Sequence, residues 1–374
     1  MATQETPFPA RGKVAGTSVV ESDEGTASLK TAAMSHSILF RDEDRGVILI
    51  DGPKSIEEAQ LLNPVRSPGI RRLVSSKPPE EPFKTPEPKQ PQLNPSLGAA
   101  LADLTAAAAV EDALKLLHEL YSGPWCLPRI HAIQDKEPEG DGRDKKRKAV
   151  EIDTPEEVLS DAVIPGGSVY LQGTISSERS RFMKEAPLFD LIVMDPPWPN
   201  RSVRRKKESY HTANDLDDIR ETLSLIPVTS HLAPEGLVAV WITNKASVLE
   251  LLTSPRGLFA EWGLEIVGEW TWLKVTTAGE PMVDVESAWR KPWERLLIAK
   301  KRGTKRSKLP SQGRVIVSVP DLHSRKPNLR PLFEDILPLG YQGLEIFARN
   351  LTAGWWSWGD EVLKFQQPEH WVEP

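Results

Sequence analysis

The 374-residue sequence has little cysteine and no long apolar run. Its one cysteine, Cys126, excludes an internal disulfide and a cysteine zinc cluster. No stretch approaches the roughly 18 consecutive apolar residues that a membrane helix needs. The first ten residues lack the basic and apolar pattern of a signal peptide. The histidines show no metal-ligand spacing, so we expect no metal. The lack of a long apolar run predicts no membrane partner, and the single cysteine favours a reducing compartment.

Positive charge is also scarce for a nucleic-acid binder, since the net charge is −6. Any contact with nucleic acid must therefore depend on local basic patches. Apolar residues make up 39% of the chain and charged residues 27%, which is typical of a soluble protein with at least one core.

Composition divides the chain into segments. Seven of its 33 prolines fall within residues 76–95, which indicates an extended linker. Eleven of the 12 tryptophans follow residue 190, so we place the dense core in the C-terminal half. The expected segments are disorder over 1–35, a small hairpin element over 36–75, a proline-rich linker over 76–95, a helical element over 96–134, a charged linker over 135–150 and the main domain over 151–374.

Two elements are predicted before the main domain. Residues 37–51 alternate two short apolar runs around a polar turn, which is typical of a hairpin that needs a surface to pack on. Residues 96–121 predict an amphipathic helix. Its expected buried positions are Leu101, Leu104, Ala108, Leu114, Leu117 and Leu120. We expect both elements to dock on the main domain and extend its substrate surface.

Within the main domain, strands alternate with helices, which predicts an open and mostly parallel α/β sheet with ligands at the carboxyl ends of its strands. The strands are predicted at 169–173, 190–194, 237–243, 269–274, 295–300, 315–319 and 343–348. Helices are predicted at 216–224, 246–252 and 329–337.

One strand end carries an unusual motif. The apolar run 191–194 leads directly into Asp195, Pro196, Pro197 and Trp198. Pro196 favours an extended Asp195, and the two prolines fix φ and remove two N–H donors. The result is a rigid corner that offers the Asp195 carboxylate and the Pro196 carbonyl as acceptors, with Trp198 as a stacking surface.

This set suits the exocyclic amine of a purine. The two N–H groups of the amine can donate to the carboxylate and the carbonyl while the base stacks on tryptophan. Asp195 would also stabilise positive charge that develops on the nitrogen during transfer of a methyl group. The alternative interpretation is a turn with a helix-capping Asp195 and a surface Trp198.

Around this motif the sequence resembles the MTA-seventy family of adenine-N6 methyltransferases, and most of all its methyltransferase-like protein four branch. The resemblance extends over about 190–365, in the order of the family. Besides the motif, it is carried by 241–244 (WITN), 269–274 (EWTWLK), 291–294 (KPWE), 322–327 (LHSRKP), 344–350 (LEIFARN) and 354–365 (GWWSWGDEVLKF).

The resemblance implies a Rossmann-like fold with a permuted motif order and S-adenosylmethionine as cofactor. It assigns the cofactor's carboxylate to Lys326, beside His323, and a cofactor contact to the strand end at Arg349 and Asn350. The ribose would lie at Asp360 and Glu361, where Asp360 replaces the asparagine usual in the family and cannot donate a hydrogen bond. The adenine of the cofactor is expected at Gln172, Gly173 and Thr174.

A basic segment follows the motif and is expected to contact substrate phosphates. Its candidate residues are Arg201, Arg204, Arg205, Lys206 and Lys207, with Tyr210 lining the base pocket. The other interpretation is a solvated charged loop. A second basic run at 300–308 either binds backbone or only adds solubility. The run at 145–148 (KKRK) fits a nuclear-import signal, so the nucleus is the expected location.

Three functions remain open at this stage. The first is adenine-N6 methylation of nucleic acid, with RNA favoured because a single strand avoids base flipping, and with DNA as the alternative. Within RNA, the branch implies small nuclear RNA and a 2′-O-methyladenosine target. The second is a non-catalytic nucleic-acid-binding partner subunit, and the third is a small-molecule N-methyltransferase, which would leave the basic runs without a role. We expect a monomer, without excluding a partner subunit.

Overall fold

A computed structural model describes residues 35–63, 71–84, 97–131, 161–199, 216–287, 290–306, 308, 313–322 and 325–373. These belong to one compact unit, Ser35–Pro374. Several predictions lie outside the described residues. They are the disorder over 1–34, the end of the proline-rich linker, the charged linker 135–150 with its basic run, the basic segment 201–207, Tyr210 and His323.

The dominant element is a ten-stranded sheet. In chain order, the strands of the protein are β1 (Ile38–Asp42), β2 (Val47–Ile50), β3 (Arg72–Leu73), β4 (Val169–Gln172), β5 (Phe189–Met194), β6 (Leu232–Ile242), β7 (Leu264–Lys274), β8 (Trp293–Lys301), β9 (Gly313–Ser318), β10 (Gly343–Ile346), β11 (Trp356–Gly359) and β12 (Trp371–Val372). The large sheet has the order β1-β2-β9-β7-β8-β6-β5-β10-β11-β4, while β3 and β12 form a separate pair.

The half of the sheet around β5 is fully parallel. Strands β6, β5, β10, β11 and β4 pair in parallel, so their carboxyl ends meet at one edge. In contrast, β8 runs antiparallel to both β6 and β7. The expected α/β fold is present, and its sheet is mostly parallel.

The predicted hairpin is present as β1 and β2, and it belongs to the large sheet. Strand β2 pairs in parallel with β9. Its four residues, Val47–Ile50, are all buried. Because both faces of this strand are apolar, only a position covered on both sides satisfies it. The hairpin therefore completes the sheet rather than forming the small element of its own that we expected.

Helices cover both faces of the sheet. They are α1 (Gly52–Ala59), α2 (Leu97–Leu120), α3 (Ile175–Glu185), α4 (Leu216–Ser224), α5 (Val228–His231), α6 (Ala246–Thr253), α7 (Leu258–Glu261) and α8 (Arg330–Phe333). Helices α3, α4, α6 and α7 bury apolar side chains against one face near β5 and β6. On the opposite face, α8 packs against β2, β7 and β8. No helix in the described part of the chain has the length and apolar character to cross a membrane.

The buried face of α2 differs from the predicted one. Leu101, Leu104 and Leu120 are exposed, whereas Leu117 is buried as expected. The face against the sheet is instead formed by Ala106, Val110, Ala113, Leu116 and Leu117. Ala106 and Ala113 allow the helix backbone to approach the sheet closely, while Val110, Leu116 and Leu117 supply the larger apolar side chains of the contact.

Candidate active site

Asp195 lies at the carboxyl edge of the parallel half of the sheet. Strand β5 before it is buried because it pairs on both sides, with β6 and with β10. The backbone N–H of Asp195 donates to the Ile346 carbonyl at 3.3 Å, which joins the motif to the end of β10. The sheet thus fixes the position of the carboxylate that the sequence singled out.

Lys326 binds this carboxylate directly. Its Nζ atom lies 2.6 Å from Asp195 Oδ2 and 3.3 Å from Glu294 Oε2. Lys274 pairs with the other oxygen of Glu294, so positive and negative charges alternate along the cluster. Asp195 Oδ1 accepts no hydrogen bond from any described residue. One oxygen of Asp195 therefore stays available to a ligand.

The charges in this cluster stabilise one another. Burial lowers the pKa of Lys326, but Asp195 and Glu294 outweigh it and raise the pKa to about 12. Burial likewise raises the pKa of Glu294, but Lys326 and Lys274 outweigh it and lower the pKa to about 2. Lys326 and Glu294 are therefore both charged at neutral pH.

Segments from the N-terminal part of the chain hold the loop that carries Lys326. The neighbouring Arg325 donates to the Val74 carbonyl at 2.9 Å and pairs with Asp321 at 2.7 Å. On the other side, the Asn328 N–H donates to Ser55 Oγ at 2.9 Å. Because Val74 and Ser55 lie outside the region of the resemblance, the sequence did not indicate their support of this loop.

A cavity lies beside Asp195 and Lys326. Among the residues that line it are Trp241, Glu345, Phe347, Arg349 and Asn350. Phe347 has a φ of 61° just after the end of β10, a conformation that bulky residues rarely adopt. This bend turns the chain so that Ala348 is buried while Arg349 and Asn350 reach the cavity. Such strain is typical of functional sites.

The charges around the cavity suit S-adenosylmethionine. Lys326 and Arg349 are cations that can hold an amino-acid carboxylate, and Asn350 supplies an amide. Asp195 and Glu345 are carboxyl groups for its positive charges. Arg349 Nε lies 3.3 Å from Glu361 Oε2, and Asp360 next to Glu361 is exposed, while the ribose-binding role of these two residues stays a prediction.

Trp198 has different surroundings from those expected of a stacking surface. Its side chain is 8% exposed, packs in the core under β5 and does not line the cavity. Its indole N–H donates to the Trp241 carbonyl at 2.7 Å, and its backbone N–H donates to the Pro196 carbonyl at 2.8 Å. The two hydrogen bonds of Trp198 thus fix the corner. One of them occupies one of the two lone pairs of the Pro196 carbonyl.

Gln172, Gly173 and Thr174 also lie apart from the cavity. They follow β4, which is separated from β5 by β10 and β11. Three strand spacings amount to about 14 Å. The Thr174 hydroxyl caps α3 by accepting from the Ser177 N–H. These residues share the carboxyl edge with Asp195, and their adenine-binding role stays a prediction.

The sequence did not assign a role to three residues of the cavity or of the charge cluster, which are Glu294, Glu345 and Trp241. Glu294 and Trp241 are members of the motif blocks, but nothing in their spacing indicated that they meet Lys326. Glu345 left a signal, because it is the one charged residue in the apolar run 343–348. A charge inside a buried strand is unfavourable unless it is paired and hydrogen-bonded, so such a residue is a candidate for a functional role.

Comparison with known proteins agrees with the site. The MT-A70 family model matches residues 189–361. A Cryphonectria parasitica protein named N6-methyladenosine RNA methyltransferase MTA1 is 60% identical over 347 residues, covering 91% of this chain and 95% of that protein. A Pyricularia oryzae protein with the same name is 47% identical over 366 residues, covering 91% and 97%.

The human N(6)-adenine-specific methyltransferase METTL4 is a more distant relative. It is 35% identical over 222 residues, covering 56% of this chain and 45% of that protein. The two fungal proteins are thus more similar than the branch that the motifs suggested, and their similarity includes most of the N-terminal part. With the Asp195 corner and the adjoining cavity, these matches establish that the chain belongs to the MT-A70 family of adenine-N6 methyltransferases.

Proposed function

We propose that this protein transfers the methyl group of S-adenosylmethionine to N6 of adenine in RNA. The observation that carries the proposal is the Asp195 carboxylate, which has one oxygen without a partner among the described residues and lies beside a cavity with cations for an amino acid. The names of the two fungal relatives, which refer to RNA, support the choice of substrate.

The residues divide the chemistry between them. Asp195 Oδ1 accepts an N–H of the adenine amine and orients its lone pair. It also stabilises the positive charge that develops on N6. Lys326 holds the second oxygen of Asp195 and fixes the orientation of the carboxylate. When bound, S-adenosylmethionine would supply the electrophilic methyl group, and Lys326 and Arg349 would hold its carboxylate.

We also propose small nuclear RNA as the kind of RNA that is methylated, with a 2′-O-methyladenosine as the target and DNA adenine as the alternative substrate. The basic residues 201–207 would contact phosphates, which positions RNA without reading its sequence. The run at 145–148 is the reason to propose the nucleus, and we propose a monomer.

A substrate comparison tests the choice of RNA. Labelled S-adenosylmethionine and matched oligonucleotides in RNA, 2′-O-methyl RNA, single-stranded DNA and duplex DNA provide the assay. We expect the RNAs to be methylated fastest and duplex DNA slowest, because removing a base from a duplex costs a few kcal/mol. Preference for duplex DNA would overturn the RNA assignment and leave the adenine chemistry standing. Cofactor binding without methylation of any adenine substrate would favour the partner-subunit function.

A second prediction concerns Lys326. Lys326→Ala should weaken S-adenosylmethionine binding by about tenfold, because it removes a charged hydrogen bond to the carboxylate. Titration calorimetry measures the affinity. Lys274→Ala is the matched control, since it also takes a lysine from Glu294 but does not line the cavity. Equal affinities for the two variants would remove Lys326 from the cofactor site.

A further inference from the structure

Glu345 is a carboxyl group in the cavity that the reaction above does not use. It lies on β10 between Leu344 and Ile346, which are both buried on the opposite face of the sheet. In the register of the sheet, it lies between Val193 of β5 and Ser357 of β11. Its side chain faces the cavity that Asp195 and Lys326 also line.

This carboxyl has no partner among the described residues. No hydrogen bond or ion pair to the side chain of Glu345 occurs in that part of the chain, although Lys326 lies in the same cavity. Its neighbour Ser357 has a buried hydroxyl that is also without a partner. An ionised carboxylate in such a place is unfavourable. Glu345 therefore needs either a proton or a positively charged ligand.

The surrounding charges bring the protonated and the ionised form of Glu345 close in free energy. Burial, followed by the negative charge of Asp195, raises the pKa of Glu345 to about 7, although Lys326 acts in the opposite direction. Lys326 offsets this rise in pKa only in part, because it is paired with Asp195 and Glu294. Among the described residues that line the cavity, the other charged ones are Arg325, on the same loop as Lys326, and Arg349, beyond β10. The pKa of Glu345 thus lies close to neutral pH, where a change in the nearby charge changes its ionisation.

The place where the methyl group is transferred determines where the positive charge of the cofactor would lie. The amine held by Asp195 must lie about 3–3.5 Å from the methyl group it receives. The sulfonium that carries this methyl group is therefore placed close to the carboxyl groups of the cavity. S-adenosylmethionine has this sulfonium charge, whereas the product S-adenosylhomocysteine has a neutral thioether in its place.

We propose that Glu345 is a specificity-determining residue that favours S-adenosylmethionine over S-adenosylhomocysteine through the sulfonium charge. Resting on the proposed function, this inference adds how the same cavity distinguishes cofactor from product. Glu345 loses its proton to the buffer as the charged cofactor binds, and no bond other than this O–H is broken. After methyl transfer the sulfonium is a neutral thioether and N6 releases one proton to solvent. Glu345 takes up one proton from solvent, and the product is held less tightly.

The direction of the pH dependence follows from this scheme. The cofactor binds best to the ionised carboxylate, which predominates above the pKa of about 7. As pH falls below this value, a proton must be displaced on binding, so affinity for S-adenosylmethionine should fall. The affinity for S-adenosylhomocysteine should change much less over the same range.

The test is titration calorimetry of the full chain with each of the two compounds between pH 5.5 and 7. Parallel runs in phosphate and Tris buffers at pH 7 count the protons released, because these buffers differ in ionisation enthalpy. We expect the wild type to release a measurable fraction of a proton with S-adenosylmethionine. Glu345→Gln should release none, lose the pH dependence and lower the preference for S-adenosylmethionine by about tenfold.

The outcomes separate the inference from the proposed function. A thermal melt of Glu345→Gln should match the wild type or exceed it, since the variant replaces a poorly solvated carboxyl. If the wild type binds S-adenosylmethionine but Glu345→Gln keeps the full preference and the pH dependence, Glu345 has no role in specificity and only the inference fails. If the wild type binds neither compound, the proposed cofactor fails and the inference with it.

Discussion

Asp195→Asn is expected to lower turnover by about a hundredfold or more, because it removes the negative charge that stabilises positive charge on N6. The variant keeps the size of the side chain, and Glu345, Lys326 and Arg349 still line the cavity, so binding of S-adenosylmethionine should fall much less than turnover. Steady-state kinetics on an adenine RNA and calorimetry with the cofactor measure the two effects separately.

Asp190→Asn provides the matched control for this prediction. Asp190 lies on the same strand, at the end opposite Asp195, and accepts from the Gln342 N–H at 2.9 Å. Asparagine can accept the same hydrogen bond, so near-normal turnover is expected. Near-normal turnover of Asp195→Asn as well would contradict the proposed role of the carboxylate.

Leu49→Ala is expected to destabilise the protein by about 2–5 kcal/mol, the usual range for a buried leucine. Leu49 lies on β2, is fully buried and packs with α2 and β9. The loss should appear as a lower midpoint in denaturant unfolding, and it would show that the N-terminal hairpin is part of the core of the enzyme.

The control for Leu49 lies on α2. Leu104 is 69% exposed, so Leu104→Ala makes the same chemical change without opening a cavity. Its effect should stay within about 0.5 kcal/mol. If the two variants unfold at the same denaturant concentration, β2 is not integrated into the sheet as described.

Much of the sheet could be predicted because its strands are short apolar runs with clear ends. Helix α4 was predicted at its observed bounds, Leu216–Ser224. By contrast, β11 was not predicted, because Trp356–Gly359 also reads as part of a turn-rich aromatic segment. The face of α2 was misjudged because apolar residues stand at helical spacing on more than one face of this alanine-rich helix, and only the contact with the sheet selects the buried one.

By itself the sequence determined the chemistry of the reacting corner. An acid, two prolines and a tryptophan after a buried strand have local consequences for φ, donors and acceptors, and these depend on few other residues. It also determined the order of the motif blocks, from which the family follows. These features are local or collinear, so they can be obtained without coordinates.

Only the tertiary structure decided which charges meet. Asp195, Glu294, Lys326 and Glu345 come from four separate segments, and their ionisation depends on distances and burial that no sequence spacing specifies. The same holds for the N-terminal hairpin, whose place beside β9 results from long-range strand pairing. Electrostatics and sheet order depend on contacts between distant parts of the chain, which is why they appeared only in the fold.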